Sequence, residues 1–287
     1  MEVSTQRCKT GVGQGRQPRL YKWLSSCYYA SGTQRQYSPG PGLGQWIIVY
    51  DAPHGLPMNQ RFHQHVADTH LEQHIKQGMD DGLYISSVAC YHDLWTLIMN
   101  NGTDFSAQVY ALSCQYSLPE QWIRFRWRES FSISAVAGNT GGCFLVVMSK
   151  GTPYVHQVYK EFSSFPIKWI SEYWRCGYYI TSMAHSQSRW VIVMSKNAGF
   201  VDQCVELDFQ HPSEGYLKWA TGGLGYQITS VAATPYRHVA VLSIFGQQAK
   251  ENLQEMKTSS GSPSAQINRS SANKQYVASI AYGRTAS

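Results

Sequence analysis

Four histidines lie close together in one short stretch of the chain, and they are the residues best suited to bind a metal: His63, His65, His70 and His74. His63 and His65 would share one face of a strand, and His70 and His74 would share one face of a helix. Paired imidazoles are common zinc ligands. However, no cysteine or acidic residue completes a recognised ligand spacing, and a break between the two elements separates the pairs. We therefore predict no metal site and no cofactor.

Motifs of known catalytic chemistry are absent from the sequence. There is no G-x-S-x-G, no H-E-x-x-H and no G-x-x-x-x-G-K-[ST]. Asp80 and Asp81 fit a turn before a strand. Asp104 and Asp202 recur beside strands of different repeats, so a carboxylate pair for acid–base chemistry is not expected. We predict no catalytic residues.

Two lysines and two tryptophans are the candidates for binding. Lys150 and Lys196 end two copies of the sequence "VMSK" near a turn, where they would form a repeated binding surface or remain solvated turn residues. Trp127 and Trp174 could stack on a small ligand if their rings are exposed, although tryptophans at such spacing usually pack in a core. All four are predicted as partner-binding residues.

The elements that position these residues recur with one period. Three slots repeat at intervals of 46 to 49 residues. The members of the slots are Ile85, Ile133, Ile180, Ile228 and Val277; Trp46, Trp95, Phe144, Trp190 and His238; and Gln60, Gln108, Gln157 and Gln203. A fixed period in this range is typical of solenoids, propellers and arrays.

Each repeat has the pattern of a mainly β unit. In the copy at residues 168–207, a Trp-bearing segment, "FPIKWISEYWRCGYY", fits a short helix or a fourth strand. The segments "YYITSMA", "WVIVMSK" and "VDQCVELDF" then fit three strands. Apolar runs without charges are typical of strands that are buried on both faces. We predict a β-propeller-like fold with blades of about 48 residues.

The two ends of the chain complement each other. Val277 begins a strand close to the C-terminus, at residues 276–284, and no second or third strand follows it. The strands "WIIVY" and "RFHQHVA", within residues 46–67, would complete that unit. We therefore predict a closed ring of about five blades, the last of them shared between the N- and C-terminal strands, because closure removes exposed strand edges.

Composition divides the chain into a lead-in and a repeat domain. Residues 1–44 are predicted to be a disordered basic lead-in, and residues 45–287 a repeat domain with a Ser-rich surface insertion at about 247–273. Most of the net charge of +6 belongs to the lead-in, so the repeats are not expected to bind nucleic acid. The seven scattered cysteines indicate reduced thiols in an intracellular protein. No apolar run is long enough for a membrane span.

Segments throughout the repeat domain resemble a known family. They include "QWIIVYDA", "LEQHIKQGMDDGLYISSVA", "FLVVMSKGTPYVHQVYK" and the terminal "YVASIAYGRTAS". In order and spacing they resemble the C-terminal region of plant casein-kinase-I-like serine/threonine protein kinases, from about residue 45 to the end. In that family a kinase domain precedes this uncharacterised region, which is also similar to stand-alone bacterial proteins.

The kinase domain itself has no counterpart here. The sequence contains no V-A-I-K, no H-R-D and no D-F-G, so neither the phosphate-positioning lysine nor the magnesium-binding aspartate is present. The resemblance therefore implies a non-catalytic accessory domain in the nucleus or cytoplasm that docks protein partners and binds neither ATP nor membranes. It leaves open whether the chain is a truncated or mis-spliced product.

Two other functions remain open at this point. One is a small-ligand or glycan-binding propeller that uses Trp127 or Trp174. The other is a chain that homology would class as a protein kinase although the kinase domain is missing.

Overall fold

The computed structural model describes residues 44–52, 59–91, 93–187, 189–207, 225–234, 238–246, 253–273 and 275–284. The prediction of a disordered lead-in at residues 1–44 therefore falls almost wholly outside the described residues. Within them lie fifteen strands: β1 Gly44–Ala52, β2 Gln60–Val66, β3 Tyr84–Tyr91, β4 Leu94–Asn100, β5 Ala107–Ser113, β6 Ser132–Gly138, β7 Phe144–Lys150, β8 Gln157–Phe162, β9 Tyr178–Ser186, β10 Arg189–Lys196, β11 Phe200–Leu207, β12 Gln227–Ala233, β13 His238–Phe245, β14 Leu253–Ser259 and β15 Tyr276–Arg284.

Four α-helices also lie in the described part of the chain: α1 Leu71–Asp80, α2 Glu120–Arg128, α3 Ile167–Trp174 and α4 Ser264–Ala272. The Trp-bearing segments, which the sequence left as helix or fourth strand, are therefore helices α2 and α3. A proline stands directly before α2, α3 and α4, where its fixed φ angle suits the entry into a helix. The corresponding segment between β11 and β12 lies at residues 208–224, outside the described residues.

The described strands form five three-stranded antiparallel sheets, which confirms the prediction of a mainly β fold. In strand order, sheet 1 is β2-β4-β3, sheet 2 is β5-β7-β6, sheet 3 is β8-β10-β9, sheet 4 is β11-β13-β12 and sheet 5 is β14-β1-β15. We call the three strands of each sheet outer, middle and inner, in that order. The middle strands are the uncharged apolar runs such as "WIIVY" and "FLVVM", and their side chains are buried on both faces.

The inner strands carry the contacts between sheets. β3 contacts β6, β6 contacts β9, β9 contacts β12, β12 contacts β15, and β15 contacts β3. Apolar clusters fill the spaces between consecutive sheets; one of them packs Phe144 and Met148 of sheet 2 with Val191 and Val193 of sheet 3. The core is therefore divided among the junctions between sheets.

Sheet 5 joins the two ends of the described chain, as predicted. β1 pairs antiparallel with β15, from Gly44 opposite Arg284 to Asp51 opposite Tyr276. The third strand of this sheet is a correction: it is β14 rather than the predicted "RFHQHVA" segment, which forms β2 of sheet 1. The same shift applies to every unit, because the outer strand precedes its sheet along the chain. In the copy at residues 168–207, β11 thus pairs with β13 of sheet 4 and not with β10.

The region predicted as a Ser-rich surface insertion contains regular structure. Within residues 253–273, β14 pairs with β1, and helix α4 buries Ile267 and Ser270. The polar, serine-rich composition concealed an outer strand and a helix that correspond to those of the other units. A solvated loop is therefore the wrong description of this segment.

Cys114, Cys143 and Cys176 are disulfide-bonded, contrary to the prediction of reduced thiols. Cys114 follows β5 and Cys143 precedes β7, and the structure joins them in a disulfide. β5 and β7 are neighbours in sheet 2, so the strands themselves bring the two residues together. Cys90 is a free thiol, and burial raises its pKa to about 12, which leaves it unreactive.

Candidate functional site

One glutamine on each outer strand connects its own sheet to the preceding sheet. Gln157 on β8 accepts a hydrogen bond at Oε1 from the backbone N–H of Ile133 on β6, at 2.7 Å. Its Nε2 donates a hydrogen bond to the backbone carbonyl of Ile133, at 2.9 Å. The same pair of bonds recurs at all five junctions: Gln108 with Ile85, Gln157 with Ile133, Gln203 with Ile180, Gln254 with Ile228 and Gln60 with Val277. The repeated glutamines are therefore structural.

The glutamine bonds continue into the interior of the glutamine's own sheet. Gln157 Nε2 also donates to the hydroxyl of Ser195 on the middle strand, and Ser195 in turn bonds Thr181 on the inner strand at 2.8 Å. Gln108 and Gln203 make the equivalent bonds to Ser149 and Ser243. All three middle-strand serines are fully buried. Buried polar groups are stable only when paired, so this network accounts for the serine of the "VMSK" copies.

Sheet 5 departs from this pattern by placing an acid at the serine position. Asp51 occupies it and accepts a hydrogen bond from Gln254 Nε2 at 2.8 Å. Burial raises the pKa of the Asp51 carboxyl, and the bond from Gln254 partly offsets that effect. Asp51 is therefore a partly buried acid whose pKa lies above its ordinary value.

A small polar cavity lies among the five inner strands. Each inner strand has a β-bulge at one position, at Ser86, Ser134, Thr181, Thr229 or Ala278, where the register skips a residue. These residues and the two that follow each of them line a cavity of about 50 Å³. That volume holds a few water molecules and no organic ligand. The hydroxyl groups at four of these bulges bond to Asn100, Ser149, Ser195 and Ser243 on the middle strands, so they belong to the structural network.

The two candidate lysines occupy equivalent, half-buried positions. The ammonium of Lys150 lies 4.6 Å from the ring centre of Phe131, and that of Lys196 lies 4.9 Å from the ring centre of Tyr178. Each aromatic residue stands two positions before the repeated isoleucine of the adjacent inner strand. A cation over an aromatic face is held weakly enough at the surface to exchange partners.

The two candidate tryptophans are half-buried and are not available as exposed stacking platforms. The indole N–H of Trp127 donates to Gln157 Oε1 at 3.2 Å, and that of Trp174 donates to Gln203 Oε1 at 3.0 Å. The ring of Trp127 also packs on Tyr159, with 5.8 Å between the ring centres. Both side chains therefore support the glutamine bridges, and the exposed rings that a glycan-binding site would need are absent at these two positions.

The structure brings two of the four clustered histidines together. His63 Nδ1 lies 2.9 Å from His74 Nδ1, whereas His65 and His70 are exposed. Burial, with the nearby charges of His74 and Arg61, lowers the pKa of His63 to about 4. No group of three or more His, Cys, Asp or Glu residues suited to a metal ion is found among the described residues. The pair is a hydrogen-bonded contact between β2 and α1.

A second cavity lies at the junction of sheets 5 and 1. This cavity, which we call the seam groove, has a volume of about 550 Å³ and lies between β2 and α4. Its lining includes Gln60, Phe62, Ile267 and Ser271. Sequence reasoning missed it, because α4 was taken for part of a loop.

Helices long and apolar enough to cross a bilayer are not found in the described part of the chain.

Comparison with known proteins gives two matches. The model of a family described as a domain of unknown function, DUF7477, matches residues 32–287. A rice protein, casein kinase 1-like protein HD16 of Oryza sativa subsp. japonica, is 49% identical over 246 residues. That alignment covers 86% of this chain and 34% of the rice protein, so the chain spans about a third of the length of this curated relative.

Proposed function

Since this chain belongs to the DUF7477 family, we propose that it is a non-catalytic docking module for proteins, similar to an accessory region of casein kinase 1-like proteins. The extent of the match carries the proposal: at 49% identity the chain corresponds to only about a third of the rice protein. The remaining length of that protein has room for a kinase domain, whose motifs this sequence lacks.

The fold that we propose for the module is a five-bladed, propeller-like ring. Two observations support it. The inner strands contact one another in a cycle that returns from β15 to β3, and the five glutamine bridges follow the same cycle from sheet to sheet. In such a ring, equivalent turns of successive blades are presented on the same face, which suits binding to an extended surface of a partner.

The lysines at the ends of the middle strands are the proposed contact residues on that face. Lys150 and Lys196 are equivalent, half-buried and engaged only by a cation–π contact in the described structure. An acidic partner segment would exchange this contact for charge-assisted hydrogen bonds, which are stronger. Trp127 and Trp174 would then act indirectly, by fixing the glutamine bridges behind the surface.

A phosphoryl-transfer assay tests the non-catalytic part of the proposal. The purified chain, incubated with labelled ATP and casein, should transfer no phosphate above a buffer control, whereas the rice relative assayed in parallel serves as the positive control. Transfer that persists after contaminating kinases have been removed would contradict the proposal.

A competition experiment tests the docking part. The rice relative, with and without the region that matches this chain, is used to capture proteins from plant extract, and an excess of this chain is added in parallel. We expect the chain to displace the proteins whose capture depends on that region. The variant Lys150→Ala/Lys196→Ala should compete less well, whereas Lys76→Ala, at an exposed lysine on α1, should compete normally. If no protein depends on the region, the docking function is wrong.

A further inference from the structure

Two helices place a tryptophan at the same point of two junctions. Trp127 on α2 and Trp174 on α3 each stand six residues before the repeated isoleucine of the next inner strand, Ile133 or Ile180. In both junctions the indole N–H donates to the bridging glutamine, whose Oε1 also accepts a backbone N–H. The glutamine oxygen therefore uses both of its lone pairs.

The seam groove is the same junction without its tryptophan. Six residues before Val277, the equivalent position on α4 is Ser271, which is exposed. Three of the other lining residues have counterparts at the α2 junction: Gln60, Phe62 and Ile267 correspond to Gln157, Tyr159 and Ile123. The cavity of about 550 Å³ thus takes the place of an indole ring and its surroundings.

One further hydrogen bond shows that the junction at α4 and the junction at α2 are built in the same way. Ahead of α4, the hydroxyl of Ser262 donates to Gln64 Oε1 at 2.7 Å. Ahead of α2, the backbone N–H of Leu118 donates to Glu161 Oε1 at 2.9 Å. The donors occupy one repeated position and the acceptors another, so α4 packs on β2 as α2 packs on β8.

The groove retains the chemical groups that contact a tryptophan elsewhere in the molecule. Among the described residues, only the N–H of Val277 donates to Gln60 Oε1, so the lone pair that accepts an indole N–H at Gln157 is open. Phe62 is half-buried at the position where Tyr159 packs on the ring of Trp127. The floor is the buried side chain of Ile267.

The charges at the rim of the groove favour a tryptophan that is flanked by acidic residues. The ionisable residues that line the groove are Arg61 and His65, and no carboxylate lines it. Arg61 pairs with Asp81, but both side chains remain partly exposed. Carboxylates that flank the incoming ring would therefore be attracted to the exposed part of Arg61 and would meet no carboxylate among the lining residues.

We infer that the seam groove binds the side chain of a tryptophan carried by an acidic segment of a protein partner. The inference rests on the proposed docking function and gives that function a site and a ligand chemistry. The indole enters between β2 and α4, its N–H donates to Gln60 Oε1, and its ring packs against Phe62 and Ile267.

Binding of short peptides to the full chain tests the chemistry. The probe is a capped Glu-Trp-Glu tripeptide, titrated by isothermal calorimetry. The same peptide with 1-methyltryptophan should bind about fivefold more weakly, since it cannot donate to Gln60. A capped Lys-Trp-Lys peptide should also bind more weakly. No binding of the Glu-Trp-Glu peptide, or equal binding of all three peptides, overturns the inference.

Restoring the tryptophan within the chain tests the location. Ser271→Trp should fill the groove, raise the melting temperature by about 2–4 °C and abolish peptide binding. Ala272→Trp, at the next exposed position, should change neither property. If the Ser271→Trp chain does not fold, the variant Phe62→Leu tests the location instead. It keeps an apolar side chain but removes the aromatic ring that would pack on the indole, and it should weaken peptide binding about fivefold. Unchanged peptide binding in Ser271→Trp, or in Phe62→Leu, overturns the inference.

The outcomes also separate this inference from the docking function. If Ser271→Trp still displaces all partners of the rice relative, the groove is not the docking site, while the docking function stands. If the peptide binds in the groove but the chain displaces no protein, the docking function fails instead. A dimer of the wild-type chain that Ser271→Trp converts to a monomer would place a second copy in the groove and overturn the assignment to another protein.

Discussion

At the scale of single residues, the repeated polar positions are occupied by structural hydrogen bonds. Glutamine bridges recur at five junctions, but periodicity identified only four of the glutamines. Gln254 follows Gln203 by 51 residues, outside the interval of 46 to 49, and was therefore missed. Counting could find the slot but not its role, because a glutamine near the start of a strand has the same sequence pattern whether it faces solvent or bonds to another sheet.

The His63–His74 contact makes stability depend on pH in a defined window. The folded-state pKa of His63 is about 4, against an ordinary value of 6.5. Above pH 6.5 the ring is neutral in both states. Between pH 6.5 and 4 the unfolded chain binds a proton that the folded chain does not, so the free energy of unfolding falls as the pH is lowered. Below pH 4 both states carry the proton and the dependence ends.

We expect His63→Gln to remove the part of this dependence that His63 causes, whereas His185, whose pKa is also lowered to about 4 by burial, keeps its own part. Urea unfolding at a series of pH values should show that the wild-type chain takes up about one more proton on unfolding near pH 5 than the variant does. His70→Gln, at an exposed histidine of the same stretch, should behave as the wild type. An unchanged slope in His63→Gln would show that the side chain titrates normally in the folded chain.

At the scale of elements, the sequence predicted the strands but not the way in which they group. β10 and β11 are separated by only three residues, Asn197 to Gly199, and a turn this short is typical of a hairpin. The chain instead crosses there to the next sheet. A periodic sequence does not reveal where one structural unit ends, because any cut gives repeats of the same length. The pairing of each outer strand with the middle strand of its sheet settles the grouping, and that information is tertiary.

Helix α4 provides a test of the corrected assignment. Ile267 is 3% exposed and stands at the same position as Ile170 of α3, ten residues before the repeated apolar residue of the next inner strand. We expect Ile267→Ala to lower the free energy of unfolding by about 2–4 kcal/mol, because it leaves a cavity in a packed junction. Asn268→Ala, at an exposed position of the same helix, should have little effect. Equal, small effects of the two substitutions in thermal unfolding would indicate a solvated loop after all.

At the scale of the whole molecule, sheet 5 differs from the others in a single connection. In sheets 1 to 4 a short segment joins the inner strand to the middle strand, as between β6 and β7. In sheet 5 the same two strands are β15 and β1, whose ends at Arg284 and Gly44 lie opposite each other in the pairing. The chain is therefore open where the other four sheets have a hairpin. The sequence predicted the pairing of the last strand with β1 from the missing partners of that strand, and this is the part of the fold that counting alone could reach.

Joining those ends should be tolerated, whereas removing the last strand should not. We expect a circular permutant, in which a short glycine-containing loop connects residues 284 and 44 and new ends are placed after Ala198, to keep the circular dichroism spectrum and elution volume of the parent. The new ends fall between two sheets, so no hairpin is cut. A chain that stops at Gln275 lacks β15, and it exposes the edge of β1, the surfaces of β3 and β12 that pack on β15, and the unpaired Gln60 bridge. Exposed strand edges promote association, so this chain should elute as an aggregate. A monomeric, cooperatively unfolding chain without β15 would show that β15 and its Gln60 bridge are not needed to hold the remaining sheets together, and would contradict the ring.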